Sequence, residues 1–253
     1  WMGGYDLINE TNWTFEGNFE GDNARNGCQD TLNKPLYELM VRITDSIRTV
    51  DQNHIIFIEG NCWANNFNGM TPPWDDNMVY SFHKYWNPNE TEAIQQFLDM
   101  REKYDIPLWL GETGENSNTW YTNCIRLLDK HKIGWAWWPE KQLGDQNNPL
   151  TVKMNSGYQR LLEYWRGNTS RPDKDFARDA LMQLTENLKL ENCIYNRDVI
   201  DAMFRQTRTN ATKPYVDHRF PGKVYAVDYD LGRVNHAYYD NDYTNTEFRA
   251  PTN

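Results

Sequence analysis

Cysteine is scarce in this chain, and none of its four copies, Cys28, Cys62, Cys124 and Cys193, stands in a C-x-x-C pair. That removes the usual zinc and redox motifs. Thiols so dispersed fit free buried residues, with one bridge, such as Cys28 to Cys62, as the alternative. Long apolar runs are missing too, since no stretch approaches the roughly 20 residues that a membrane helix needs. No membrane partner is expected. The opening WMGGYDLINE lacks both a basic stretch and a cleavage site, so the chain reads as soluble and already processed. Positive charge is in deficit, with 26 Lys and Arg against 36 Asp and Glu and a net charge of −10. Nothing here would neutralise a phosphate backbone, which excludes nucleic acid as a partner. The five histidines (His54, His83, His131, His218, His236) show no H-x-H or H-E-x-x-H spacing, which argues against a metal-dependent hydrolase.

What is present is aromatic. Eleven Trp and fifteen Tyr exceed the needs of a core in so hydrophilic a chain. Flat rings with a polar edge suit surfaces that meet sugars or partners. At 253 residues the chain is long enough for one large domain or two modest ones.

From residue 3 to about 141, short apolar strands alternate with helical stretches, a rhythm that predicts βαβ units and a parallel sheet. The strands expected are Tyr5–Asn9, His54–Glu59, Val79–His83, Leu108–Gly111 and Ile133–Trp138. Helices are expected over Lys34–Val50, Glu92–Tyr104, Trp120–His131 and Tyr158–Trp165. In the first of them Leu36, Leu39, Met40, Ile43 and Ile47 recur at helical spacing. The fold class predicted is α/β: a partial (β/α) TIM-type barrel of about five parallel strands that lacks the first three of eight. An open sheet of this kind exposes edges that invite pairing, so a homodimer is expected.

Beyond Gly167 the pattern changes. Asp173–Leu190, with Phe176, Ala180, Leu181, Leu184 and Leu188 along one face, and Arg197–Arg208 read as helices that cover the open sheet. After Pro214 the text turns rich in Tyr, Asp and Asn, with alternating runs such as Lys223–Tyr229. The division expected is a barrel-type catalytic domain over 1–167, a helical extension over 168–214, and over 215–253 a linker or the start of a β-rich module.

In parallel barrels the working residues sit at the carboxyl ends of strands. Glu10 closes the run Tyr-Asp-Leu-Ile-Asn-Glu, and Glu112 closes Pro-Leu-Trp-Leu-Gly-Glu. Cleaving a glycosidic bond needs one carboxyl group to protonate the leaving oxygen and a second to attack or to activate water. An opposed pair is the minimal equipment. Glu59, Glu115 and Glu140 also lie near strand ends, and spacing alone leaves them as rivals. A strand-end glutamate that merely caps the next helix is the plainer reading of any one of these.

The runs GGYDLINETNW, SFHKYW, LWLGETGEN and GWAWWPEK, in that order, resemble the later strands of glycoside hydrolase family five, a group of retaining β-glycanases. The resemblance covers about residues 3–141. It implies that Asn9-Glu10 is the Asn-Glu pair with the acid/base, that His83 and Tyr85 form the family's His-x-Tyr, that Glu112 is the nucleophile, and that Trp138 lies beneath the sugar at the cleavage point. Thr11 stands where the family commonly has proline. The family's arginine beside the nucleophile and its glycone-site histidine come from the first three strands and have no counterpart here. Phe220-Pro-Gly-Lys-Val-Tyr-Ala-Val-Asp-Tyr-Asp, followed by Ala237-Tyr-Tyr-Asp, is similar over about thirty residues to the opening of family-six carbohydrate-binding modules.

These roles carry electrostatic expectations. Tyr85 and His83 should hold the charge of Glu112, while burial and the charge of Glu112 should keep a proton on Glu10. Asn9 is expected to bond a sugar 2-hydroxyl, with a loop-side Asx turn as its plainer role. Trp13, Trp63, Trp74 and Trp86 are loop-placed candidates for further sugar contacts, each equally explicable as ordinary packing. The function expected is a retaining endo-β-1,4-glucanase or a close relative that needs no metal or organic cofactor, takes a β-glucan polysaccharide or oligosaccharide, and is secreted or periplasmic. The alternatives are a catalytically impaired glycan-binding half-barrel and a mannan-, xylan- or β-1,3-glucan-active or exo-acting glycosidase.

Overall fold

The computed structural model describes residues 2–241, and these divide into two compact units, 2–113 with 126–137, and 114–125 with 138–241. The first unit is built on five parallel strands, β1 (Gly4–Asp6), β2 (Ile55–Glu59), β3 (Met78–His83), β4 (Leu108–Glu112) and β5 (Gly134–Trp135), paired in the order β1-β2-β3-β4-β5. Sequential parallel neighbours joined by helices are the (β/α)-barrel arrangement, here as an arc of five strands. The expected fold class is therefore the observed one.

The central strands are apolar because they build the core, and β3 is buried on both faces. Ile56, Ile58, Met78, Tyr80, Phe82, Leu108 and Leu110 are all buried. Each large aliphatic or aromatic side chain removed from water stabilises the fold by about 1.5–3 kcal/mol. Helix Lys34–Arg48 starts with proline in its first turn, where a missing N–H costs nothing, and buries Leu36, Met40 and Thr44 at four-residue steps. Leu39, expected in the core, lies instead on the solvent side. Helix Gln95–Tyr104, entered through a 3₁₀ turn at Thr91–Ile94, buries Phe97, whose ring stacks on Phe82 at 4.2 Å. Helix Asn118–His131 buries Trp120, Tyr121, Cys124, Ile125, Leu127 and Leu128 along its length.

The second unit contains a three-stranded sheet that the sequence did not signal: β6 (Lys141–Leu143), β7 (Leu150–Val152) and β8 (Ile194–Tyr195), with β7 central. Helices Ser156–Trp165 and Lys174–Asn187 pack on each other, with Gly157 close against Ala180. Their N-caps are Asn155 and Asp173, whose side chains accept from the N–H groups of Tyr158 and Phe176.

Four expectations need correction. Helix 174–187 buries only Ala180, so Phe176 and Leu181 form a half-open apolar face. Arg197–Arg208 is not one α-helix but a short helix Arg197–Ile200 continued by a π-helical turn, Asp201–Arg205. The run Lys223–Tyr229 forms turns with exposed side chains and no strand, because alternation without a partner strand or a face to bury cannot hold an extended conformation. The compact units also cut the chain differently from the expected divisions at 167 and 214, since the second unit includes residues 138–167. The end of the tail, 242–253, lies outside the described residues.

Candidate active site

At the carboxyl end of the five-stranded sheet, four acidic side chains surround one buried histidine. Leu7 N–H still donates to Phe57 O, continuing the β1–β2 pairing, after which the chain turns. Glu10 adopts a left-handed backbone at φ 45°, a conformation that costs a non-glycine residue of order 1 kcal/mol or more. Its N–H donates to Glu59 Oε2 at 2.7 Å, and this charge-assisted bond helps hold the turn. Glu59 ends β2 and is only 1% exposed. An unpaired carboxylate so deep costs several kcal/mol, so its partners are an obligation of the fold.

His83 is the hub. Its Nδ1 lies 2.7 Å from Glu10 Oε1 and 3.7 Å from Glu112 Oε2, and its Nε2 lies 3.1 Å from Glu59 Oε1. Burial disfavours its charge, yet the bonds to Glu10 and Glu59 and the charges of Glu59 and Glu112 prevail and raise its pKa to about 9. At neutral pH both ring nitrogens then donate. The register explains how His83 arrives there: a β-bulge places Phe82 opposite Leu110 but His83 opposite Glu112, skipping Gly111. A Cβ at Gly111 would stand 2.2 Å from Ser81 Oγ and 3.0 Å from His83 Nε2, so only glycine fits.

Glu112 receives the Tyr85 hydroxyl at 2.8 Å. Burial raises its pKa, and the Tyr85 bond and the His83 charge work against that rise. The expected helpers of its charge are thus both in place, though burial outweighs them. Asp6 completes the group. Part of its surface is open at the edge of β1, but its carboxyl is hydrogen-bonded to Glu59. Crowding by protein, then the charge and the bond of Glu59, raise its pKa to about 7. The Asp6 carboxyl therefore holds its proton far more readily than an ordinary aspartate does.

The aromatic candidates separate. Trp13 and Trp63 are 56% and 44% exposed and share one supporting network, in which Trp13 N–H donates to Asn61 Oδ1, Asn61 Nδ2 donates to Trp13 O, and Trp63 N–H donates to Thr11 O. Cys62, Trp63 and Ala64 are consecutive left-handed residues, a strained turn fastened by the Cys28–Cys62 disulfide. Trp86 is half-buried beside Tyr85, with ring centres 5.7 Å apart. Trp74 serves packing, since its Nε1 donates to Thr44 and its ring meets Tyr37. Asn9 is exposed with no hydrogen bond among the described residues, so the Asx turn is not formed. Trp138 belongs to the second unit and is exposed, as do Glu115 and Glu140.

Two site residues escaped the sequence reading. Glu59 was one rival among three, although a glutamate closing the apolar run Ile-Ile-Phe-Ile, in line with Glu10 and Glu112, already carried the signal. Asp6 gave none, because an aspartate in a three-residue edge strand looks like a solvated terminus.

The family model for cellulase (glycosyl hydrolase family 5) matches residues 4–143, more than half of the chain. This chain belongs to glycosyl hydrolase family 5. An endoglycoceramidase of Cyanea nozakii is 29% identical over 161 residues, which are 56% of this chain and 30% of that protein. The chain thus spans less than a third of that relative's length. Among solved structures, endoglucanase Cel5A of Thermotoga maritima is similar at 18% identity and a TM-score of 0.38, over 43% of this chain and 48% of that one. Cellulose synthase subunit Z of Clostridioides difficile is similar at 14% identity and a TM-score of 0.48, over 79% and 60%. Membership in this family relates the chain to the glycoside hydrolases.

Proposed function

We propose that Glu10 and Glu112 are the acid/base and the nucleophile of a retaining β-glycan hydrolase, with β-1,4-glucan as the substrate class. The observation that carries this reading is their spacing: an oxygen of each carboxyl lies within 4.8 Å of the other and of a His83 nitrogen. Retaining pairs stand about 5–5.5 Å apart, whereas inverting pairs leave about 6.5–9.5 Å for a water. Glu112, steadied by Tyr85, attacks the anomeric carbon while Glu10 protonates the leaving oxygen. Glu10 then takes a proton from the water that hydrolyses the glycosyl-enzyme. Exposed Asn9, beside Glu10, offers its amide to the sugar 2-hydroxyl, and Trp13, Trp63 and Trp86 offer ring faces to sugars.

The decisive experiment measures turnover of a soluble β-glucan by wild type, Glu10→Gln and Glu112→Gln, with the product anomer read by NMR. Loss of several orders of magnitude in both variants and a β-configured first product support the reading. Undiminished turnover in either variant, or an inverted product, sinks it. A glycolipid is the second reading of the substrate, supported by the name of the Cyanea nozakii relative and by exposed Trp13, Phe19 and Trp63. Glycosphingolipid cleavage without β-glucan cleavage would select it.

Secretion or a periplasmic location is part of the proposal, because a disulfide such as Cys28–Cys62 persists in oxidising compartments. So is self-association through the edge of β1, which pairs on one side only among the described residues. Light scattering on the purified chain reads that directly, and a monomer refutes it.

A further inference from the structure

Glu59 has no part in the two-carboxylate chemistry, yet it is the most deeply buried of the four acids around His83 and touches both the backbone of Glu10 and the ring of His83. A carboxylate is expensive to bury, and replacing it by an apolar residue would cost the fold little if packing were its only role. Its geometry points elsewhere. One oxygen accepts the N–H of Glu10, the residue with the left-handed backbone, and the other faces His83 Nε2. The opposite nitrogen of the same ring faces Glu10 Oε1. Glu59 therefore grips Glu10 twice, once at its main chain and once at its carboxyl through the imidazole. Asp6, hydrogen-bonded to Glu59 from β1, steadies the grip from behind.

We propose that Glu59 is a positioning residue for the acid/base: through the Glu10 N–H and through His83 it fixes where Glu10 presents its proton to the leaving oxygen. This rests on the reading of Glu10 as acid/base. Misplacing a catalytic group by about 1 Å costs on the order of 10²-fold, so the second contact around the site carries weight without touching substrate. The groups facing His83 are Asp6 from β1, Glu10 from the turn after it, Glu59 from β2 and Glu112 from β4. Of these, Asp6 and Glu59 can be removed with both proposed catalytic carboxylates left in the protein, and of the two it is Glu59 that bonds the Glu10 N–H and the His83 ring.

The test uses Glu59→Gln, nearly identical in shape, on the whole chain. On a soluble β-glucan its kcat/KM should fall by about 10²-fold. On 2,4-dinitrophenyl β-cellobioside, whose leaving group departs without a proton, formation of the glycosyl-enzyme should stay near the wild-type rate. An equal loss on both substrates, or on neither, overturns the proposal. A second readout is independent of turnover: the NMR titration of the His83 ring should move to lower pH in Glu59→Gln, and an unmoved titration overturns the proposal even in a chain that hydrolyses nothing. Failure of the glycosidase reading is visible separately, as absence of wild-type turnover. Should Glu59→Gln not fold, Glu59→Asp keeps the charge one methylene short. It should slow β-glucan hydrolysis while the His83 titration stays near the wild-type value; wild-type hydrolysis by this variant also refutes the proposal.

Discussion

The Tyr85 hydroxyl donates 2.8 Å to Glu112 Oε2, the same oxygen that lies 3.7 Å from His83 Nδ1. One carboxylate oxygen thus carries the two interactions that oppose the effect of burial on Glu112. Removing the hydroxyl in Tyr85→Phe withdraws a bond that favours the charged form, so the pKa of Glu112, already raised, rises further. A nucleophile must be ionised, and the acidic limb of the kcat/KM profile reports its ionisation in the free enzyme. The expected outcome is an acidic limb moved to higher pH, with the largest loss of rate at low pH. A limb that stays put or moves down contradicts this role for Tyr85.

The raised pKa of Asp6 beside Glu59 has a signature in stability. The pKa of Asp6 is raised to about 7 from an ordinary 3.8, so the folded state binds its proton more tightly than the unfolded chain. The stability this contributes is complete below about pH 4 and is lost as pH rises through about 7. His83 adds a change of the same sign at higher pH: its folded pKa is about 9 against 6.5, and its contribution fades as pH rises through 9. In Asp6→Asn the amide donates to Glu59 at every pH. The melting temperature of Asp6→Asn relative to wild type should therefore climb between pH 4 and pH 8, as thermal scans will show. A constant difference would mean that folding does not raise the pKa of Asp6.

Much of this site was legible because the barrel rule says where to look. His83 and Glu112 each close an apolar strand and Glu10 lies in the turn just past β1, and a parallel sheet aligns such ends on one rim. The strands themselves were legible from runs such as Met78–His83, where burial on both faces favours continuous apolar text. What escaped depends on pairing across long sequence distances. Strands β6 to β8 are two or three residues long and exist through their partners, so Lys141–Leu143 carries no period of its own. Lys223–Tyr229 failed in the opposite sense, having the period without a partner. The bulge at His83 and the raised pKa of Asp6 arise from packing and electrostatics between strands, which no local pattern encodes.

Gly111 makes the convergence sterically possible. In Gly111→Ala the added methyl would meet Ser81 Oγ and the His83 ring within the bulged pair, and buried neighbours in a packed sheet have little room to yield. Overpacking of this kind typically costs about 1–3 kcal/mol. The expected result is a lower denaturation midpoint by about that amount, together with weaker hydrolysis because His83 is pushed from Glu59. Unchanged stability and unchanged activity would show that the strand absorbs the methyl by shifting.

The Cys28–Cys62 bridge closes a loop of 34 residues and fastens the left-handed turn that carries Trp63. Cross-linking a loop of that length stabilises the folded chain by about 3–4 kcal/mol in the chain-entropy account. Replacing both cysteines by alanine should lower stability by a few kcal/mol and free the strained turn, so that Trp63 fluorescence becomes more readily quenched by iodide. If both measurements match the wild type, the turn is held by Asn61 and its hydrogen bonds alone.

Glu10, His83 and Glu112 form, among the described residues, the one group of ligand-type atoms converging within 4.8 Å, which makes metal dependence a fair question. The charge state of His83 argues against it. A ring whose pKa is raised to about 9 is an imidazolium at neutral pH, with a proton on each nitrogen and no lone pair for a cation. To coordinate beside Glu10 and Glu112, a metal would have to displace the proton that His83 Nδ1 directs at Glu10 Oε1. Hydrolysis by the intact chain should therefore survive prolonged dialysis against EDTA at pH 6 to 7. Loss of turnover that zinc or manganese restores would instead give these three residues the role of ligands, and Glu10 and Glu112 would no longer stand as acid/base and nucleophile.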